Sequence, residues 1–283
     1  MDTPNLGGNA FYLACYAVLL PPQIFLGIRY KTWGFSFGVL CGLVLEIVGY
    51  AARIQLHYHK DTFVMYLVCL TIGPAFFSAA IYLCLARVIE VYGNHLSRFR
   101  PRTYTITFMV SDFIALVFQA SGGAILGRRD PAMMDMGLAI IQTGLAAHLV
   151  GIAAFVILAV EFGIRTYKGR GQWNPKFDSL QKARKFHCLL ISLAGSTLCI
   201  FVRTAFRVAE LRQGLNSKLA NNEVAFMLLE GAMVVIAATC ITASHPGVAF
   251  QGRWGEADFQ LRSRREKNGF QEATSSPVPL GPI

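Results

Sequence analysis

Charged residues are scarce in this sequence, and their scarcity decides the class of protein. Asp, Glu, Lys and Arg together make up 15% of the 283 residues, whereas 54% are hydrophobic. An ordinary soluble domain carries about a quarter charged residues, so this composition excludes an ordinary soluble fold. The mean hydropathy of +0.46 points the same way. We therefore predict an integral membrane protein.

Paired cysteines and nucleotide motifs are also missing. The seven Cys show no C-x-x-C spacing, and each falls inside an apolar run, which is typical of small core residues rather than of disulfides or metal ligands. The sequence has no Walker A motif, so we expect no ATP hydrolysis by this chain. No cofactor and no metal site are expected.

Long apolar runs are what the sequence has in quantity. A helix rises 1.5 Å per residue, so about 20 mostly apolar residues cross the roughly 30 Å of hydrocarbon in a bilayer. Seven runs come near this length, at residues 10–28, 33–52, 63–86, 104–126, 137–163, 186–206 and 223–243. The fold class predicted is an all-α integral membrane protein with seven transmembrane helices.

The basic residues predict the orientation of these helices. The formal net charge of +10 does not indicate nucleic acid, because the Lys and Arg lie in loops between apolar runs. With the N-terminus outside, 18 of the 26 Lys and Arg fall on the cytoplasmic side, so we predict N-out and C-in. Residues 1–9 carry no basic stretch, and we expect no cleaved signal peptide.

The predicted domain organisation has three parts. Residues 1–9 form a short extracellular N-terminus, and residues 10–247 form the seven-helix membrane domain. Residues 248–283 alternate charges and end in a proline-rich stretch, a composition that does not bury a core. We therefore predict a disordered cytoplasmic tail from residue 248.

The last two apolar runs carry charges in regular spacing. Arg203, Arg207 and Glu210 recur at i, i+4 and i+7, which places them on one helical face, and Glu223 and Glu230 share a face of the next helix. An ionised side chain at the bilayer centre costs roughly 2.5–3.5 kcal/mol on insertion scales, so such residues usually face inward and mark a site. We predict that the two charged faces line a polar cleft.

Earlier helices carry further polar stripes. Glu46, Tyr50 and Arg53 share one face of the second helix, and Asp112 and Gln119 lie seven residues apart on the fourth. A role in the cleft and a hydrogen bond to a neighbouring helix are both open for Asp112. His148 in the fifth helix has no partner at metal-ligand spacing, so we expect a hydrogen-bonded core histidine.

These residues occur in blocks that resemble the fungal RTA1-like family, also called lipid-translocating exporters. The resemblance runs from about Leu40 to Gly247. It is carried by five blocks, which are Glu46-x-x-Gly49-Tyr50-x-x-Arg53, Gly73-Pro74-Ala75 with Ala80-Ile81-Tyr82, Asp112 with Gln119-x-x-Gly122-Gly123, Arg203-x-x-Phe206-Arg207-x-x-Glu210-x-x-x-Gly214 with Glu223, and His245-Pro246-Gly247. The family often has Gln where His148 stands, and Asp where Glu230 stands.

The resemblance implies export or flipping of an amphiphile such as a sphingoid base or a sterol-like compound, with resistance to toxic compounds as the outcome. The expected partners are membrane lipids and an amphiphilic small molecule, with no nucleic acid. The expected location is the plasma membrane, with an endomembrane as the alternative. The substrate-binding or translocation residues predicted are Glu46, Tyr50, Arg53, Tyr82, Asp112, Gln119, His148, Arg203, Arg207, Glu210, Glu223 and Glu230.

Three other interpretations stay open at this point. Carboxylates in a dry cavity can act as general acids, so Glu46, Asp112 and Glu230 would serve a membrane-embedded cyclase or isomerase of a lipid or terpenoid. Seven helices with N-out and C-in also match a lipid sensor. In the third interpretation the charges have only a structural role, since buried ion pairs can fix the register of helices without adding net stability. Transport is favoured over catalysis, which stays open as the alternative.

Overall fold

The computed structural model describes residues 5–58, 62–128, 130–212 and 223–257 of the chain. Within these ranges the chain is helical and contains no strand. Seven helices in the described part of the chain are long and apolar enough to cross a membrane. The prediction of an all-α membrane protein with seven spans is therefore confirmed. The sequence also predicts an outer loop at residues 216–222, between the last two spans, and these residues lie outside the described ranges.

The six helices α1 to α6 are continuous. They span Leu6–Tyr30 (α1), Trp33–His57 (α2), Phe63–Tyr92 (α3), Pro101–Gly127 (α4), Pro131–Lys168 (α5) and Arg184–Arg212 (α6). Most extend beyond the predicted apolar runs, because polar and aromatic ends continue the helix into the interfacial region. Two helix starts have local causes: α4 begins at a proline, and the Asp130 side chain accepts a hydrogen bond from Ala132 N at 3.0 Å before α5.

The seventh helix, α7, is composite. It begins as Glu223–Ala225, continues as a π-helical segment over Phe226–Ala232, and ends as the α-helix Met233–Ala243. The Tyr12 hydroxyl of α1 donates to the Met227 carbonyl at 2.6 Å, which satisfies a backbone acceptor within the π segment. π segments are often found at functional sites, and this one contains Glu230.

Helix α3 lies at the centre of the bundle. In its most apolar stretch 67% of the residues are buried, against 22% in α1. Glycines bring the neighbouring helices close: a Cβ at Gly49 of α2 would lie 2.5 Å from the Leu70 side chain of α3. Likewise, a Cβ at Gly122 of α4 would lie 2.7 Å from the Gly137 carbonyl of α5. In lipid the hydrophobic effect does not drive helices together, so the van der Waals contacts made at these close approaches stabilise the bundle instead.

Residues 246–257 pack against the bundle, and the predicted tail begins within this segment, at residue 248. Pro246–Ala249 and Arg253–Gly255 form short helical turns, and Phe250 and Trp254 are buried. Arg87 of α3 donates to the Trp254 carbonyl and lies 4.1 Å from the centre of its ring. Aromatic rings four residues apart supply a packing face within this polar stretch. Residues 258–283 of the predicted tail lie outside the described residues.

Candidate functional site

Arg203 and Glu230 form the most deeply buried ion pair of the site. Arg203 Nη2 lies 2.5 Å from Glu230 Oε1, and the two side chains are 1% and 2% exposed. The same nitrogen donates to the Leu70 carbonyl of α3. The pair therefore joins α6 to α7, and the arginine also contacts the central helix. The two charged faces predicted from spacing do meet at this point.

Two further ion pairs lie nearby. Arg207 Nη1 donates to Glu210 Oε2 at 2.6 Å, and the arginine side chain is 1% exposed. Arg53 of α2 contacts Glu223 at 3.0 Å, and its guanidinium carbon lies 3.6 Å from the centre of the Phe226 ring. Glu223 retains 30% of its side-chain exposure, so this pair marks the accessible edge of the site.

Glu46 is the carboxylate of this region that forms no ion pair within the described part of the chain. It is buried in α2 beside Gly73, where a Cβ would lie 2.7 Å from Glu46 Oε1. It interacts electrostatically with Arg203 and Glu230, yet Oε1 has no hydrogen-bond partner in the described part of the chain. A glycine at position 73 thus makes the room that the carboxylate occupies.

These groups form one ion cluster with unequal charges. We use this name for Glu46, Arg53, Arg203, Arg207, Glu210, Glu223 and Glu230. The cluster holds four carboxylates and three guanidinium groups. If all are ionised, one negative charge has no opposite charge among the described members of the cluster, and a buried uncompensated charge needs either a proton or a cation.

A group of tyrosines covers the ion cluster, and only one of them was predicted. The Tyr50 ring stacks on Tyr16 at 5.7 Å between centroids and lies 5.5 Å from Tyr12. Tyr16 is fully buried and close enough to Glu46 to interact with its carboxylate. Tyr12 and Tyr16 lie four residues apart on α1, which is the signal that could have found them.

Asp112 lies with His148 rather than with the arginines. Its Oδ1 is 2.9 Å from His148 Nδ1 across the α4–α5 interface, and the histidine and aspartate side chains are 1% and 4% exposed. Tyr82 of α3 interacts with the Asp112 carboxylate and packs on Phe155 at 4.5 Å between ring centroids. Of the two roles left open for Asp112, the structure shows a hydrogen bond to a neighbouring helix, with His148 as the partner.

Gln119 lies on the same face of α4, two turns from Asp112. It is buried against α5, where a Cβ at Gly144 would lie 3.0 Å from Gln119 Cγ. Both amide atoms lack hydrogen-bond partners among the residues described.

The ion cluster and the Asp112–His148 pair lie at different heights along α3. Leu70 and Gly73 contact the ion cluster, whereas Tyr82 contacts Asp112. Nine residues separate Gly73 from Tyr82, which corresponds to about 13 Å along a helix. The predicted site residues therefore form a large ion cluster and a smaller carboxylate–histidine group along one helix.

The fold and these buried ion pairs define a multi-pass membrane protein with a charged interior. The family described as "RTA1 like protein" matches residues 39–253. The chain belongs to this family, which confirms the resemblance carried by its motifs.

Named relatives come from Saccharomyces cerevisiae. "Sphingoid long-chain base transporter RSB1" is 31% identical, and the match covers 88% of this chain and 74% of the relative. "Protein RTM1" is 26% identical over 76% of this chain and 70% of its own length. "Protein RTA1" is 25% identical, with 67% and 59% covered. No solved structure matches the chain significantly.

Proposed function

We propose that this protein exports or flips an amphiphile with a cationic head group, and that the ion cluster is the head-group site. The observation that carries this proposal is Glu46, a buried carboxylate whose Oε1 has no hydrogen-bond partner in the described part of the chain. An ammonium group would complete the charge balance of the cluster and donate hydrogen bonds to Glu46. A sphingoid long-chain base, the cargo in the printed name of one relative, carries such a group.

The exposed edge of the cluster supplies a route for the head group. Glu223, at the start of α7, is 30% exposed, whereas Glu230 is buried. Glu230 lies seven positions further along α7, within the π-helical segment. A cationic head group would first meet Glu223 and then exchange inward along carboxylates to Glu230 and Glu46. Its alkyl chain stays in the bilayer.

The hydroxyl groups of a sphingoid base would also find partners in the cluster. Arg203 Nη1 and Arg207 Nη2 are buried donors without partners among the described residues, and the Tyr50 hydroxyl is unpartnered as well. Neutral hydroxyls accept from such donors without adding charge. The site would therefore recognise an amine that carries neighbouring hydroxyls.

The consequence for a cell is resistance. With no Walker A motif in the chain, movement would run down a gradient or be coupled to an ion. Removing a toxic amphiphile from the inner leaflet lowers its content in the cell. We place this activity in the plasma membrane, with the N-terminus outside and an endomembrane as the alternative.

The test is transport by purified full-length protein in liposomes. A fluorescent sphingoid base should cross the bilayer faster with the wild-type protein than in protein-free liposomes. Glu46→Gln removes the surplus charge and should slow this movement about 10- to 100-fold, since a hydrogen bond to a charged group is worth about 1.5–3 kcal/mol.

Glu161→Gln is the matched control. Glu161 pairs with Arg165 near the end of α5, outside the ion cluster, and should be dispensable. Equal transport by Glu46→Gln and wild type at equal incorporation would refute the head-group site. Conversion of the added lipid into a new product would favour the enzyme instead.

A further inference from the structure

A cavity lies between α3, α5 and α6, and none of the ion-cluster residues lines it. Its volume is about 400 Å³, which falls within the roughly 300–1,000 Å³ of typical small-molecule sites. It occupies the end of the bundle that also carries the basic segment 165–185. The distribution of Lys and Arg predicts that this end is cytoplasmic.

The walls of the cavity are apolar. Leu85 and Val88 of α3 and Leu193 of α6 line its sides, and Phe155 of α5 lines its deep end. The Phe155 ring packs on Tyr82, which interacts with Asp112, so the cavity ends one ring away from the carboxylate–histidine group. This shape and lining suit an alkyl chain that points toward the membrane centre.

The cavity is also open toward the bilayer. Gly163 of α5 and Ala194 of α6 belong to its lining, and both are exposed on the surface of the bundle. A chain of a lipid can therefore enter sideways from the inner half of the membrane without crossing the basic segment.

The mouth of the cavity is lined by polar side chains, and none of those described is acidic. Thr166 is 7% exposed, lines the cavity, and has a hydroxyl without a hydrogen-bond partner in the part of the chain described. Trp173 Nε1 donates to the Thr166 carbonyl at 3.0 Å and so fixes the position of this residue. Arg170 also lines the mouth, with its guanidinium carbon 4.3 Å from the centre of the Tyr167 ring.

We propose that this cavity binds a single-chain amphiphile whose head group is an oxyanion, either a carboxylate or a phosphate monoester. The Arg170 guanidinium is a cationic hydrogen-bond donor, and hydrogen bonds from such a donor to an anion are the stronger, charge-assisted ones. His187 also lines the mouth, and the described lining contains no Asp or Glu. An amine head group would meet a cation and no carboxylate.

This cavity and the ion cluster therefore have opposite preferences. The ion cluster has a surplus carboxylate and suits a cation, whereas the mouth of the cavity has a guanidinium and suits an anion. The proposal concerns a separate site and does not depend on the transport function.

The experiment measures binding to full-length protein in nanodiscs of zwitterionic lipid. A fluorescent fatty acid is displaced by palmitate, by hexadecyl phosphate and by hexadecylamine, which have the same chain length. At least one of the two anions should bind ten or more times more tightly than the amine. Which anion binds more tightly identifies the source of the head group as a free fatty acid or a phosphorylated lipid.

Two variants fill or alter the cavity. A Cβ at Gly163 would meet nothing within 4 Å, so Gly163→Leu fills the cavity without a clash and should weaken binding at least tenfold. Gly195→Leu is the matched control, because Gly195 is equally open but does not line the cavity. Arg170→Gln should remove the preference for anions, whereas Lys168→Gln, outside the lining, should keep it.

Three results would overturn the proposal: undiminished anion binding by Gly163→Leu, binding of the amine as tight as that of both anions, or failure of both anions to displace the probe. Glu46→Gln separates the two sites, since it should leave anion binding unchanged whether or not it impairs transport.

Discussion

Arg203 of α6 and Glu230 of α7 are bound to each other at 2.5 Å with almost no exposure of either side chain. The arginine also donates to the Leu70 carbonyl, so three helices meet at one charged pair. Such a pair is costly to break, because removing one partner leaves a buried charge alone. Stability and function therefore have to be tested separately at this site.

Glu230→Gln and Arg203→Gln should each destabilise the protein by about 3–5 kcal/mol, whereas the double variant should lose less than the sum of the two. The reason is that the double variant leaves neither charge alone. Denaturant unfolding of the purified proteins in detergent measures the coupling. Strictly additive losses would show that the two side chains do not stabilise each other.

Asp112 and His148 should depend on each other through a hydrogen bond. His148→Gln keeps a donor for the Asp112 carboxylate and should lower stability by no more than about 1 kcal/mol, whereas His148→Leu leaves a buried carboxylate unpaired and should cost about 1–3 kcal/mol or more. Thermal unfolding of both variants separates them. Equal stability of the two would argue against the hydrogen bond that joins α4 to α5.

Gly49 should tolerate no side chain. Its Cβ would lie 2.5 Å from Leu70 Cδ2, so Gly49→Ala should force α2 and α3 apart and cost about 1–3 kcal/mol. Gly195→Ala is the control, since a Cβ there meets nothing within 4 Å. The two variants are compared by their denaturant midpoints, and a neutral Gly49→Ala would contradict the close packing of α2 against α3.

Trp254 should anchor the segment after α7. It is 6% exposed and lies beneath the guanidinium of Arg87. Trp254→Ala should destabilise the protein by about 3–5 kcal/mol, whereas Trp33→Ala should have little effect, because Trp33 is 63% exposed. Comparable losses of thermal stability in the two variants would show that the segment is not anchored in this way.

The positions of the spans and the inward-facing charges could be predicted from the sequence alone, because both depend on local regularities. Apolar length identifies a span, and the spacing of Arg203, Arg207 and Glu210 puts them on one face whatever surrounds them. The contact between that face and the face carrying Glu230 could also be predicted, because helices that are consecutive in the chain usually pack together.

The remaining features depend on which helices become neighbours in space. Asp112 received a histidine partner because α4 packs on α5, and no pattern within either helix specifies that contact. The π segment around Glu230 has no sequence signature. The cavity at Phe155 exists only where three helices leave a gap, so composition gave no sign of it.

The most direct test of the ion cluster compares the dissociation constants of a sphingoid base and its N-acetyl derivative, in which an uncharged amide replaces the ammonium group. Wild-type protein should bind the amine at least tenfold more tightly, and Glu46→Gln should bind the two equally. An undiminished preference for the amine in Glu46→Gln, at normal protein stability, would contradict the account.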